Sequence, residues 1–216
     1  MADEKFGLDG GKATAALQTT ETAGQNIMQA LGAGMQAAVL GPLMGVWYGD
    51  DAIKLMGKLK DTLVDAGNQF ETIWESINST VTQNAQNFEQ QHGTQVFNPV
   101  SHSPIKVEAD VSATKGDKGG FIGIEDSSVF ETAIAEMRKK FEETDGFAND
   151  AKRGLADSGF YGGDQQAALD QSTTKIVGNL KGMADEIVEA TKKALEETKQ
   201  REEELAKANA AAFGGN

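Results

Sequence analysis

Two long stretches in the first half of the chain carry apolar residues three and four positions apart, which is the spacing of one face of an α-helix. The first stretch runs from about Thr14 to Leu40 and the second from Asp50 to about Phe88. Between them, Gly41-Pro42 is expected to end or kink the first helix, because proline lacks an amide hydrogen and its ring collides with the preceding turn. The predicted apolar faces consist of Leu17, Thr20, Gly24, Ile27, Leu31, Met35 and Ala38, then Met56, Leu59, Leu63, Ala66, Phe70, Ile73, Ile77, Thr80, Asn84 and Phe88.

The second half of the chain returns to the same pattern. A third helix is predicted to begin at Asp126 or Ser127, each a suitable N-cap, and a turn opens at Gly159. A fourth helix is predicted to follow from Asp164, with a highly charged end that projects into solvent. The apolar positions of these two helices are Ile134, Met137, Phe141, Phe147 and Leu155, then Leu169, Ile176, Leu180, Met183, Ile187, Ala190 and Ala194.

Residues 91–126 interrupt the helical pattern, since Gly93, Pro99 and Pro104 all oppose helix. This segment is predicted to be an irregular, flexible connection between two helical units. Apolar and polar residues alternate over 105–111, so a short β-hairpin between this run and residues 121–124 is the alternative.

A short motif occurs twice, each time between two predicted helices. The first copy reads Trp47-Tyr48-Gly49-Asp50-Asp51 and the second Phe160-Tyr161-Gly162-Gly163-Asp164, so both fit the pattern aromatic-Tyr-Gly-x-Asp. A duplicated motif of this kind indicates a duplicated supersecondary unit. The predicted unit is a helical hairpin, in which Asp51 and Asp164 cap the second helix of each copy.

Two such hairpins predict an all-α fold, an elongated antiparallel four-helix bundle. The first hairpin covers residues 14–90, the connection 91–126 and the second hairpin 127–213. Trp47 and Phe160 are interpreted as plugs at the ends of the hairpins, with recognition of a partner as the alternative. Gly49 and Gly162 are interpreted as the residues that permit a tight turn.

Composition and charge narrow the function. The chain of 216 residues carries a net charge of −13 and no Cys, which argues against nucleic-acid binding, disulfides and thiolate metal sites. The only two histidines, His92 and His102, lack the spacing of a metal site and are interpreted as solvated loop residues. The many glutamates near the C-terminus have no apolar pocket to tune their pKa values, so neither an enzyme nor a cofactor is predicted.

The Trp47-Tyr48-Gly49 turn between two amphipathic helices resembles the WXG (ESAT-six-like) family of small type VII (ESX) secretion proteins. The acidic, Cys-free composition and the second copy at Phe160-Tyr161-Gly162 strengthen the resemblance. The resemblance implies helical hairpins that pair antiparallel as dimers, leave the cell folded through a membrane ATPase system and often accompany larger substrates. Here two units would be fused, so their pairing would not depend on protein concentration.

The chain departs from the family pattern in two ways. Phe160 replaces the tryptophan in the second copy, and the Tyr-x-x-x-Asp/Glu export signal of many family substrates does not occur. Tyr48 is followed four positions later by Ala52, and Tyr161 by Gln165. An exported substrate and a helper of a larger secreted effector are therefore both open, and the expected partner is a protein of the secretion machinery or a co-secreted effector.

A membrane-active protein is the alternative function, because residues 27–47 contain no charged side chain over a length that could span a bilayer. The N-terminus, Met1-Ala2-Asp3-Glu4-Lys5, is acidic and is followed by no apolar stretch of the kind found in signal peptides. We therefore expect synthesis in the cytoplasm without a cleavable signal and secretion, or display at the cell surface, by a type VII route. The expected state is a monomer or a domain-swapped homodimer.

Overall fold

A computed structural model describes residues 7–156 and 159–161, together with single positions and short pairs between 171 and 207. Within these residues the protein is mostly helical, with three long helices packed antiparallel and two small two-stranded antiparallel sheets. The elements are β1 (Gly7–Leu8), α1 (Gly10–Val46), β2 (Trp47–Tyr48), α2 (Asp50–His92), β3 (Gly123–Ile124), α3 (Ser127–Ala156) and β4 (Phe160–Tyr161).

Helix α1 begins at an N-cap, Asp9, whose carboxylate accepts a hydrogen bond from the amide of Lys12 at 3.0 Å. It continues past Gly41-Pro42 and ends at Val46, so the helix end predicted at this dipeptide is wrong. Two π-helical segments, Ala30–Gly34 and Gln36–Leu40, precede the proline. Because Pro42 starts a new α-helical segment, its missing amide hydrogen costs no helical hydrogen bond.

Helix α2 runs for 43 residues between two glycines in left-handed conformations. Gly49 occupies the N-cap with φ 125°, and Gly93 ends the helix with φ 66°. The predicted apolar face is correct as far as Phe70 and again at Ile77, but Thr80, Asn84 and Phe88 are not buried. The buried positions beyond Phe70 are Trp74, Ile77, Asn78, Val81, Ala85 and Glu89, whereas Thr80 is exposed. A straight helix drifts relative to a heptad pattern, which moves the buried face onto these positions.

A single core joins the three helices. The apolar faces predicted for α1 and α3 are buried in it, with Ala38 and Phe147 half-buried. Its largest enclosed side chains are Trp47, Trp74, Phe130, Leu17, Ile27, Met28, Leu31, Met35, Leu40, Leu43, Met56 and Met137. The described residues contain three long helices rather than the four of the predicted bundle, and most of the segment assigned to the fourth lies outside them.

The connection between α2 and α3 is irregular over residues 94–111, as predicted, but it does not form the β-hairpin given as the alternative. Gly123–Ile124 pairs with Trp47–Tyr48, not with the run at 105–111, so the predicted β-hairpin is wrong. Residues 94–111, which we call the strap, are neither helix nor strand, and Phe97 and Val107 in it are buried in the core. The strap is therefore a packed part of the fold and not a flexible linker.

Candidate functional site

The first copy of the motif forms a corner at the end of α1, which we call the first corner (Trp47, Tyr48 and Gly49). The Trp47 side chain is 2% exposed, and its ring meets the ring of Phe130 edge-on with centroids 5.2 Å apart. Such edge-to-face pairs add to the energy of burial. Trp47 thus lies buried where the hairpin turns, the position at which the sequence predicts a plug.

Tyr48 fastens the first corner to the start of the second hairpin. Its hydroxyl donates to the carbonyl oxygen of Gly45 at 2.5 Å and lies 3.3 Å from Glu125 Oε2. Lys118 Nζ binds the same carboxylate at 2.6 Å, and this hydrogen bond holds the pKa of Glu125 below its ordinary value. The ring of Phe121 meets the Tyr48 ring edge-on. The corner is thus built from the turn between α1 and α2 together with the segment that precedes α3.

The second copy, Phe160-Tyr161, occupies an equivalent place at the opposite end of the molecule. In the sheet formed by β2 and β3, Trp47 lies opposite Ile124 and Tyr48 opposite Gly123. In the other sheet, Phe160 lies opposite Leu8 and Tyr161 opposite Gly7. Each aromatic-Tyr pair therefore pairs antiparallel with a Gly-aliphatic pair that precedes the first helix of the other hairpin.

The flanking hydrogen bonds repeat this arrangement. The amide of Asp9, which follows β1, donates to the carbonyl oxygen of Gly159 at 2.7 Å. The amide of Glu125, which follows β3, donates to the carbonyl oxygen of Val46, also at 2.7 Å. The two ends of the molecule are thus related as in an internal two-fold pair, with β2 and β3 at one end and β1 and β4 at the other.

The glycines of the motif are placed as predicted where the structure describes them. A Cβ at Gly49 would approach the Ile122 side chain to 2.8 Å, and the left-handed φ excludes most other residues. Gly159 has φ 76°, and a Cβ there would collide with the backbone of Asp9. Gly162 and Asp164, predicted as turn and cap residues, lie outside the described residues.

The cap predicted at Asp51 is wrong. Helix α2 begins at Asp50 with Gly49 in the N-cap position and without a side-chain cap, so Asp51 lies in the first helical turn. A carboxylate there still suits the positive end of the helix dipole. The Asp51 carboxylate forms an ion pair with Arg201 of the C-terminal segment, and the two line a shallow cavity of about 210 Å³ beside Trp47.

The strap is held by side chains that bind its backbone, and α1 and α2 both supply them. From α1, Thr14 exchanges hydrogen bonds with Asn98, and Gln36 exchanges a pair of 2.8 and 2.9 Å with the backbone of Asp110. From α2, Glu89 accepts the amides of Val96 and Phe97. The strap therefore runs parallel to α1 and antiparallel to α2, in the groove between them.

His102, predicted to be a solvated loop residue, is instead mostly shielded from solvent at the middle of the strap, with its side chain 13% exposed. Its Nδ1 lies 3.2 Å from Glu21 Oε2 of α1 and its Nε2 lies 2.7 Å from Glu71 Oε1 of α2. The Trp74 ring meets the imidazole edge-on with centroids 4.4 Å apart. Burial lowers the pKa of His102, but the hydrogen bonds to Glu71 and Glu21 outweigh it and raise the pKa above the ordinary value of 6.5.

The sequence pattern did not predict this cluster, because Glu21 and Glu71 read as ordinary polar positions between apolar ones. The available signal was the single histidine between Pro99 and Pro104, in a run with few other charged residues. His92, by contrast, is exposed at the end of α2, beside the ring of Phe88. Within the described part of the chain, no group of three His, Asp or Glu side chains is arranged to hold a metal ion.

Comparison of the chain with protein-family models, with curated proteins and with solved structures gave no significant match.

Proposed function

We propose that this protein is a non-enzymatic interaction protein of a type VII secretion system, a fused pair of WXG-like hairpins. It acts either as an exported substrate or as the helper of a larger secreted effector. The observation that carries the proposal is the equivalence of the two corners. Dimers of WXG-like hairpins would place one aromatic-glycine turn at each end of a rod, and this chain has one at each end of its own.

The direction of the helices supports the proposal. Helix α3 begins where α1 ends, since β3 pairs with β2, and α3 ends beside the start of α1, since β4 pairs with β1. The first arms of the two hairpins thus pack antiparallel. This is the arrangement that the resemblance implies for two separate chains, and covalent fusion would maintain it at any protein concentration.

We further propose that the C-terminal segment is a fourth helix that completes the bundle. The described positions between 171 and 207 are helical. Lys152 near the end of α3 donates to Thr174 at 3.0 Å, and Asp51 at the start of α2 pairs with Arg201. A helix from Thr174 to Arg201 would span about 40 Å at 1.5 Å per residue, close to the length of α3. These two contacts would then lie at opposite ends of the rod.

The proposal that the protein is not an enzyme rests on its most buried charged cluster. Both ring nitrogens of His102 are already engaged by carboxylates of the same chain. A general base needs a free nitrogen within reach of a substrate proton. The two carboxylate contacts of His102 thus support a structural role for this cluster.

Export from the native cell tests the function. We expect the protein, or an effector that depends on it, to disappear from the culture medium when the type VII ATPase is inactivated by an ATP-site substitution. A Sec-exported protein and a cytoplasmic protein serve as controls for general export and for lysis. The proposal would be overturned if the set of exported proteins stayed the same after that substitution and also after deletion of this protein.

Membrane insertion of residues 27–47, the alternative function, makes a different prediction for the purified protein. Helix α1 is long and apolar enough to cross a bilayer, and half of its most apolar window is buried inside the protein. Core packing explains the same composition, since Gly and Ala permit close approach of helices. Leakage of liposomes caused by the purified protein, and lost on replacement of Gly34 and Ala38 by Asp, would favour the membrane function.

A further inference from the structure

The cluster around His102 joins three elements through one side chain. The His102, Glu21 and Glu71 side chains are 13%, 10% and 18% exposed, so all three are largely withdrawn from solvent. Glu21 also accepts the amide hydrogen of Ser103 at 3.0 Å through its second oxygen. Midway along its length, the strap is therefore attached to both α1 and α2 at the same place.

The geometry determines the protonation state that suits the cluster. Both ring nitrogens face carboxylate oxygens, and an ionised carboxylate only accepts hydrogen bonds. A neutral imidazole has one N–H, so it would leave one nitrogen lone pair facing a carboxylate. The imidazolium form has two N–H groups and satisfies both contacts, each as a charge-assisted hydrogen bond.

The charged groups that face the ring are Glu21 from α1 and Glu71 from α2, both of which favour the protonated form. The third neighbour is the Trp74 ring of α2, which is 1% exposed. Removal of the proton would leave two carboxylates on opposite sides of a neutral ring in a largely buried site. Such an arrangement is costly because nothing then compensates their desolvation.

We propose that His102 is a pH-operated clasp, which locks the strap into the groove between α1 and α2 when the imidazole is protonated and loosens it when the proton is lost. The groove under the middle of the strap is then closed in acidic solution and opens as the solution becomes alkaline. The same change separates His102 from Trp74, so the tryptophan reports the state of the clasp.

The sign of the effect follows from linkage. The pKa of His102 is raised in the folded protein, so the stabilisation is fully present below the ordinary value of 6.5. It is lost as the pH rises through the raised folded value. Acidification from mildly alkaline to mildly acidic solution is therefore expected to tighten the strap.

Proton NMR tests the first half of the proposal, because the chain has only two histidines. The variant His92→Gln assigns the remaining imidazole signal to His102 and serves as the matched control, since it removes the exposed histidine only. We expect His102 to titrate above 6.5 in the folded protein and at the ordinary value in urea. A folded-state value at or below 6.5 would overturn the proposal.

Hydrogen exchange and tryptophan fluorescence test the second half. Protection factors of the strap amides, above all Ser103, are expected to fall at least fivefold between the acidic and alkaline sides of the His102 titration. Trp74 fluorescence is expected to rise over the same interval, because an imidazolium quenches a neighbouring indole. His102→Gln should abolish both changes, and His92→Gln should leave both in place. Strap protection that stays constant through the titration would overturn the clasp.

Glu71→Gln gives a second variant in case His102→Gln loses its fold. It keeps the size of the side chain and a hydrogen-bonding oxygen but removes one of the two charges that favour the imidazolium. The His102 pKa is expected to fall relative to the wild-type protein, and the loss of strap protection should move to lower pH with it. An unchanged titration in this variant would contradict the proposal.

Discussion

At the scale of single residues, two glycines decide how closely the helices and the strap approach. A Cβ at Gly24 of α1 would lie closer than 3.0 Å to the indole of Trp74, and one at Gly67 of α2 would lie equally close to the side chain of Val107. The absence of side chains at these positions leaves room for a large ring in one case and for the strap in the other. Glycine is here a packing residue, because neither position has a positive φ.

Gly24→Ala is expected to destabilise the protein by about 1–3 kcal/mol, because the added methyl group overfills the space that Trp74 occupies. The matched control is Gly57→Ala, a helical position in α2 where a Cβ would meet nothing within 4 Å. That control should stabilise the protein by about 0.5–1 kcal/mol through its helix propensity. Urea unfolding followed by circular dichroism gives both values. A Gly24→Ala protein as stable as the wild type would show that Trp74 is not packed against α1 as described.

At the scale of elements, the helices follow from the sequence and the strap does not. Helical periodicity predicted the buried faces of α1 and α3, since burial of one face every three or four residues is what holds such helices in a bundle. The strap has no pattern of its own to detect. Its backbone is bound by side chains from distant positions, such as Thr14 with Asn98 and Gln36 with Asp110.

At the candidate site, too, contacts between distant segments leave no local pattern in the sequence. The Trp47 corner could be predicted because its aromatic residue and glycine are adjacent in the sequence. The His102 cluster could not be predicted in this way, because its three residues come from three separate segments of the chain. The structure, not the sequence, shows that Asn78 and Glu89 of α2 are buried, and buried polar groups need hydrogen-bond partners. Those partners are Val100 for Asn78, and Val96 and Phe97 for Glu89.

Glu89→Ala is expected to release the first part of the strap, because the buried amide of Phe97 and the part-buried amide of Val96 then lose a charged acceptor worth about 1–3 kcal/mol. Cleavage by a protease within residues 94–100 should become about tenfold faster or more, as expected for a local opening that has become easier by that amount. The control is Glu75→Ala, an exposed glutamate on the same helix. Mass spectrometry of the first fragments locates the cut. Equal cleavage rates for the two variants would mean that Glu89 does not anchor the strap.

At the scale of the whole molecule, the two aromatic-Tyr pairs form an internal two-fold arrangement, in which β2 pairs with β3 at one end and β1 with β4 at the other. The duplicated motif predicted two hairpins, but it did not predict that each corner would be shared between them. Strands of two residues, such as Gly7–Leu8, are too short to show any periodicity. Only their pairing with the other hairpin, Leu8 with Phe160 and Trp47 with Ile124, makes the symmetry visible.

Cysteine cross-linking is the sharpest test of this two-fold arrangement, because the chain contains no cysteine of its own. Leu8→Cys with Phe160→Cys places two thiols on directly opposed residues of an antiparallel pair, at a Cα separation of about 4.5–5.5 Å that a disulfide can bridge. Leu8→Cys with Ile124→Cys is the mismatched control, because α1 separates these residues by about 55 Å. We predict that mild oxidation of the folded monomer links the first pair within one chain and leaves the second pair free. Free thiols in the first variant, or a link within one chain in the second, would contradict the account.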